Sequence, residues 1–331
     1  MFEKDRIAIE IGDKNIKIIA GSREKALNYG VIKTPAGSIE EDKLIDIEAI
    51  ADAINSFILN EKIKIKRLSF VIESRDVITR NMETPIMEEA GIQKSVEWEM
   101  SQYLPSAKEN YYMDFEIIDK IVNKDKKIYK IMIAAVPREK IDRYVQLSKL
   151  LNLQLVSIDI SSNCIARVFK EVYNKEHSKE SIGIIDIGNS SSSIIILDKG
   201  KLFIERAVPF GINSLTKLIS EDELKYFDLL KIEEENENHK KIQTLMGNVL
   251  SSFERIIQFY ASGKTEKKLD HIYIIGEGAL INSIDEYVKN YFGSETDSIK
   301  EPSKIYIKTK NLEKLEFRLN VKALGVLLRK E

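Results

Sequence analysis

The sequence predicts an α/β fold made by duplication. Two halves each present a tight polar turn to a shared cleft, and a small α+β subdomain is set into the first half. Three observations predict it. In residues 182–197, IGIIDIGNSSSSIIIL, an apolar strand runs into Asp186-Ile187-Gly188-Asn189-Ser190, and apolar residues resume at Ile194. That is the pattern of two buried strands joined by a tight turn, with Gly188 and Asn189 supplying permissive backbone angles. Residues 8–16, AIEIGDKNI, repeat the register 176 positions earlier, with Glu10 standing where Asp186 stands. Between the copies, over 77–136, a helical pattern and two strand-like runs break the order and read as an insertion.

The turns carry the chemistry. Backbone N–H groups and serine hydroxyls pointing out of such a turn suit phosphate oxygens. The adjacent acid, Glu10 or Asp186, is placed to hold a hydrated magnesium ion or to orient a water. One acid-x-Gly turn is common and says little; two facing copies are far more specific.

Composition sets the limits. A chain of 331 residues has room for two domains, expected at 1–158 and 159–331. With 43% hydrophobic and 31% charged residues it is a folded chain, not a disordered one. A net charge of −2 offers no basic field to nucleic acid. The lone Cys164 excludes a disulfide within the chain and fits a reducing compartment, and His177, His239 and His271 form no metal-ligand spacing. No apolar run approaches the roughly 18 residues of a membrane span, and MFEKDR lacks the pattern of a signal peptide. The expectation is a cytosolic protein that meets a membrane only through partners.

In chain order, strands are expected at 6–11, 16–20 and 26–34. Lys17, seven residues after Glu10, reads either as a cation reaching phosphates or as a solvated strand lysine, and most strand lysines face water. Ile47, Ile50, Ala51, Ile54, Phe57 and Ile58 keep a helical period, predicting a helix over 46–59, and 68–72 is the next buried strand. The insertion comprises a helix over 86–104 carrying Trp98, closed by Pro105, and strands at 111–122 and 128–136. Its charged turn, 123–127, reads as solvated. A helix over 138–151 and a strand over 153–158 follow. Asp159 is expected to cap a helix over 159–173 that crosses between the halves, with 171–181 as a linker. Residues 201–208 complete a second meander, a helix starts at Ser214, and the charge-dense 220–241 reads as a mobile loop or solvated helix end. A long helix over 241–262 precedes a strand over 269–275. Gly276-Glu277-Gly278-Ala279 then leads into a helix: a form that lets a ligand approach the backbone, and equally that of an ordinary strand-to-helix turn. An apolar helix over 321–328 comes last.

The order of these pieces resembles the actin-like ATPase superfamily, and within it the PilM family of type IV pilus assembly proteins. Three stretches carry the closer resemblance: VEWEMSQYLP at 96–105 with YMDFE at 112–116, VPFGINSLT at 208–216, and VKALGVLLR at 321–329. The resemblance spans essentially the whole chain and implies a duplicated, ribonuclease H-like two-domain fold with a nucleotide cleft and a variable helical part over 214–262. It implies ATP or ADP with Mg2+, the phosphates held by Gly12, Asp13 and Lys14 and by Gly188, Asn189 and Ser190, and contacted by Lys17. Glu10 and Asp186 would position magnesium or the attacking water. Gly276, Glu277, Gly278 and Ala279 would flank the adenosine, with Arg255 near the adenine. It also implies as partner the N-terminal peptide of PilN, bound in a groove beside the Trp98 subdomain, and proximity to the pilus motor ATPase at the inner face of the cytoplasmic membrane, with self-association left open.

This chain departs from the family in three places. The first acid is usually aspartate and is Glu10 here; an extra methylene can move a water or metal by about 1 Å, weakening hydrolysis more than binding. The adenosine turn is Gly-Glu-Gly where Gly-Gly-Gly is common, and the charged stretch after Leu218 follows the family pattern poorly. The favoured reading is a nucleotide-dependent assembly platform. A small-molecule kinase of the superfamily would need an acceptor pocket and catalytic acid in the first half, for which no motif stands out. An FtsA-like division protein would need a terminal amphipathic anchor, which Arg329-Lys330-Glu331 does not supply. A pure adaptor is the remaining alternative.

Overall fold

Two isoleucine-rich hairpins seed the two largest sheets of the protein, seen in a computed structural model that describes residues 5–329 apart from 24, 74–76, 124–125, 178–179, 232–235, 263–267, 299–307 and 310–315. In the first half β1 (Arg6–Ile11), β2 (Asn15–Ser22) and β3 (Lys25–Lys33) form an antiparallel meander. After a small hairpin of β4 (Ile39–Glu40) and β5 (Lys43–Leu44), helix α1 (Ile47–Asn60) starts where the sequence puts it. The Asp46 carboxylate accepts from the Ala49 N–H at 2.9 Å, a cap of about 1 kcal/mol. β6 (Arg67–Ile72) lies parallel to β1.

The insertion has a strand the sequence did not announce. β7 (Ile78–Pro85), α2 (Glu89–Ser101), β8 (Tyr111–Val122) and β9 (Lys127–Pro137) make a separate three-stranded sheet in the order β7-β9-β8. Ile92, Val96 and Met100 of α2 cover Ile131, Ile133 and Ala135, giving this unit its own core. Only Thr84 of β7 is buried, so ITRNMETP shows no apolar alternation, and pairing with β9 imposes its extended form.

α3 (Arg138–Leu150) and β10 (Gln154–Ile160), parallel to β6, follow. Asp159 is not a helix cap. It ends β10, where its carboxylate accepts from the Ile160 N–H at 3.0 Å and pairs with Arg167 at 2.9 Å and Arg329 at 3.1 Å. α4 (Ser161–His177) begins two residues later and carries the expected linker stretch as helix through His177.

The second half repeats the plan. β11 (Ser181–Ile187), β12 (Ser192–Asp198) and β13 (Lys201–Val208) form a meander. α5 (Ile212–Thr216) and α6 (Glu221–Tyr226) come next. Part of the charge-dense stretch is therefore ordered, because Ser220 and Glu223 close a capping box on α6; residues 232–235 lie outside the described residues. The long α7 (Glu237–Ala261) starts ahead of Lys241 because Asn236 caps it. β14 (His271–Ile275) lies parallel to β11, and a 3-10 turn over Glu277–Leu280 delays the next helix, α8, to Ile284–Phe292. β15 (Glu295–Ser298) pairs parallel with β14. The order β13-β12-β11-β14-β15 thus matches β3-β2-β1-β6-β10 in sequence and sense, and β16 (Lys308–Thr309) adds one strand beside β3.

α4 and the last helix, α9 (Phe317–Leu327), run between the two sheets. Every residue of α9 from Asn320 to Leu327 is buried. Gly325 lets it approach closely: a Cβ there would collide with the Cys164 carbonyl of α4, and Arg167 donates to the Gly325 carbonyl at 2.6 Å. Among the described residues no helix is long and apolar enough to cross a membrane.

Candidate functional site

The two predicted turns are built alike and face each other. The Gly12 N–H donates to the Asn15 carbonyl at 3.0 Å, and the Gly188 N–H to the Ser191 carbonyl at 2.9 Å. A Cβ on either glycine would crowd that same carbonyl, at 3.0 and 2.9 Å. These positions need glycine for the close approach, not for the permissive angles expected: neither glycine, nor Asn189, has a positive φ. Across the cleft Asn189 Nδ2 donates to Asp13 Oδ2 at 2.8 Å, so the turns touch.

Behind the turns lies a buried charge cluster. Glu10 and Lys17 are register partners in the β1–β2 ladder, and Lys17 Nζ donates to Glu10 Oε1 at 2.9 Å, both side chains buried. Lys17 therefore does not face water; it also meets Glu277 Oε1 at 3.3 Å. A second ammonium, Lys322 Nζ from α9, reaches Glu73 Oε1 at 2.7 Å, Glu10 Oε1 at 3.1 Å and Asp186 Oδ2 at 3.1 Å. It joins the acids of the two hairpins. Burial alone would raise the Glu10 carboxyl, but Lys17 and Lys322 outweigh it and hold the group below the usual carboxylate range. Burial wins at Asp186, where Lys322 only partly offsets it and Glu73 and Glu10 add repulsion, so this carboxyl is pushed up. Burial opposes the charge on both lysines, yet the surrounding carboxylates keep each well above the usual lysine range.

The cleft encloses about 600 Å³, counting space open to solvent, and its walls include residues 12–15 and 188–191, Glu10, Lys17, Glu73, Tyr144, Glu277 and Lys322. Of the predicted residues, the structure brings together Glu10, Gly12, Asp13, Lys14, Lys17, Gly188, Asn189, Ser190 and Glu277 on this wall, with Asp186 behind it through Lys322. Gly276 stands at the back, with φ +82° and a notional Cβ 2.5 Å from Asp186 Oδ1, a position that demands glycine. Gly278 and Ala279 are buried, and the Ala279 carbonyl accepts from Arg318 at 2.9 Å. Arg255 is exposed on α7 and is not part of the cleft wall.

The family model described as "Type IV pilus assembly protein PilM" matches residues 8–329. The chain belongs to the PilM family of type IV pilus assembly proteins. A solved structure of a "PilM-PilN type IV pilus biogenesis complex" is similar at a TM-score of 0.84 and 19% identity, covering 99% of this chain and 98% of that one. The ethanolamine utilization protein EutJ of Carboxydothermus hydrogenoformans follows at 0.55 and 11%, covering 99% and 90%. MreB5 of Spiroplasma citri bound to ADP is similar at 0.54 and 12%, covering 98% and 95%. The fold is the duplicated actin-like one the sequence predicts, and the insertion belongs to it.

In this member of the PilM family the two glycine turns and the lysines Lys14 and Lys17 fit phosphate oxygens. The acids fit a protein-held magnesium ion less well, because the place between Glu10 and Asp186 is taken by the Lys322 ammonium. Glu10 Oε2 and Asp186 Oδ1 are buried without hydrogen-bond partners, and Oδ1 lies on the side where Gly276 has no Cβ. Sequence reasoning missed Lys322 and Glu73. One signal was available: a lysine in the otherwise apolar run VKALGVLL must find carboxylates if that helix is buried all round.

Proposed function

We propose that this chain is the cytoplasmic nucleotide-binding platform of a type IV pilus assembly machine, and that its inserted subdomain binds the N-terminal peptide of PilN. The family match over residues 8–329 carries the reading, and PilN is the partner named for the similar solved complex. The subdomain and the start of α3 have side chains suited to gripping a peptide. Trp98 on α2 is 68% exposed, Tyr103 and Tyr112 are also exposed, and the guanidiniums of Arg80 and Arg138 stack on those two tyrosines at 3.5 and 4.1 Å. Tryptophan, tyrosine and arginine dominate the few residues that carry most binding energy.

ATP or ADP would sit with its phosphates between the two turns and fix the angle between the halves, divided at 158/159, while turnover stays slow or absent. On this reading the chain meets the inner face of the membrane through PilN and passes the nucleotide state on to the motor ATPase. Calorimetric titration with a synthetic PilN N-terminal peptide, with and without Mg-ATP, tests it. Saturable binding is expected. Trp98→Ala should weaken it at least about tenfold without lowering the melting temperature, since the ring is mostly solvent-exposed in the free protein. No binding in either nucleotide state sinks the proposal.

A further inference from the structure

We propose that Lys322 is the resident cation of the cleft: its ammonium occupies the place between the hairpin acids that a divalent metal would take, so nucleotide is bound by lysines without a protein-held metal. The inference rests on the nucleotide reading above and specifies how the phosphates are met. One nitrogen lies within 3.1 Å of Glu10, Glu73 and Asp186. It is carried on a helix whose residues 320–327 are all buried, so its backbone is fixed and only the ammonium end reaches the cleft wall. Among the described residues no group of three or more His, Cys, Asp or Glu is placed to hold a metal. A metal ion would be left the unpartnered Glu10 Oε2 and Asp186 Oδ1. Asp186 Oδ1 lies beside Gly276, 2.5 Å from where a Cβ would stand, and an ion there would lie near a fixed ammonium, repelled strongly at a buried site.

The pairing pattern shows how phosphate would enter. Each of three cleft lysines holds one more exposed carboxylate: Lys14 with Glu221 at 2.8 Å, Lys17 with Glu277 at 3.3 Å, Lys322 with Glu73 at 2.7 Å. These partners are 59%, 16% and 25% exposed, whereas Glu10 and Asp186 are almost fully buried. An incoming polyphosphate exchanges with the outer three and leaves the inner two in place. The lysines then supply the neutralisation that magnesium supplies elsewhere.

Two measurements on the full chain test this. Calorimetric titration with ATP in EDTA and in Mg2+ should give dissociation constants within about threefold; a loss of about tenfold or more in EDTA overturns the proposal. Electron paramagnetic resonance titration of the nucleotide-free protein with Mn2+ should show no bound ion. Lys322→Met should gain a Mn2+ site, and Lys322→Arg should not. A Mn2+ site in the unaltered protein, or a folded Lys322→Met that gains none, overturns it. If Lys322→Met does not fold, the unaltered protein decides alone. If ATP binds in neither buffer the nucleotide reading fails, and the Mn2+ titration still judges Lys322.

Discussion

The first hairpin and the second share a backbone and differ in charge. Each turn closes with a glycine N–H on the carbonyl three residues on, and each acid sits two residues before that glycine. Across the ladder, however, Glu10 faces Lys17, while Asp186 faces Ser193. The first hairpin carries its own counter-ion; the second borrows Lys322 from a helix that packs on the first sheet. Duplication has kept the cradle and redistributed the ions, so one acid is held ionised and the other is held reluctant. The same ammonium also ties the second hairpin's acid to Glu10 and Glu73 of the first half.

The sharpest way to break this comparison is to neutralise each acid in turn. Glu10→Gln strips two buried ammoniums of a partner and should cost about 3–5 kcal/mol in urea unfolding near neutral pH. Asp186→Asn removes a carboxylate whose own charge burial disfavours but which is the strongest support of the Lys322 ammonium; Glu10 and Glu73 stay on that lysine, so a smaller loss of about 1–2 kcal/mol is expected. Equal losses would mean the two hairpins are not split in role. Acidity should then separate the pair further. Glu10, with its pKa lowered, stabilises the fold above the ordinary carboxylate range, and that contribution is lost as pH falls through the lowered value. Asp186, with its pKa raised, favours the fold below the ordinary aspartate value and penalises it as pH rises through the raised one. As pH falls below about 4.5 the deficit of Glu10→Gln should shrink, whereas Asp186→Asn should compare best with the unaltered protein near neutral pH. Parallel pH profiles for the two variants would contradict the assignment. The smallest effect belongs to the direct tie between the turns. A double-mutant cycle on Asn189→Ala and Asp13→Ala should yield a coupling of about 0.5–1 kcal/mol, and none at all would show that the exposed bond holds nothing.

What the sequence made legible was whatever repeats locally. The hairpins, the Asp46-capped helix and the two acids follow from period and spacing within a few residues. β7 escaped because its partner β9 arrives some 50 residues later and its own side chains are hardly buried. Asp159 misled because aspartate is a good cap by type; here β10 runs on to Ile160, α4 starts at Ser161, and two arginines, one of them near the end of the chain, claim Asp159. Glu73 was illegible for the same reason, and Lys322 showed only as a lone charge in an apolar run. Their roles exist only once four distant segments meet, those of Glu10, Glu73, Asp186 and Lys322.

The placement of α9 has a consequence for how the protein is made. Lys322 is synthesised 312 residues after Glu10, so at about 5–20 residues per second a growing chain holds its first hairpin for roughly 15–60 s without the lysine that joins it to the second. Through that interval the face of β1, β2 and β6 that α9 will cover is bare apolar surface. The cleft is completed last, and the nascent first half is the stage at which a chaperone would find most to hold.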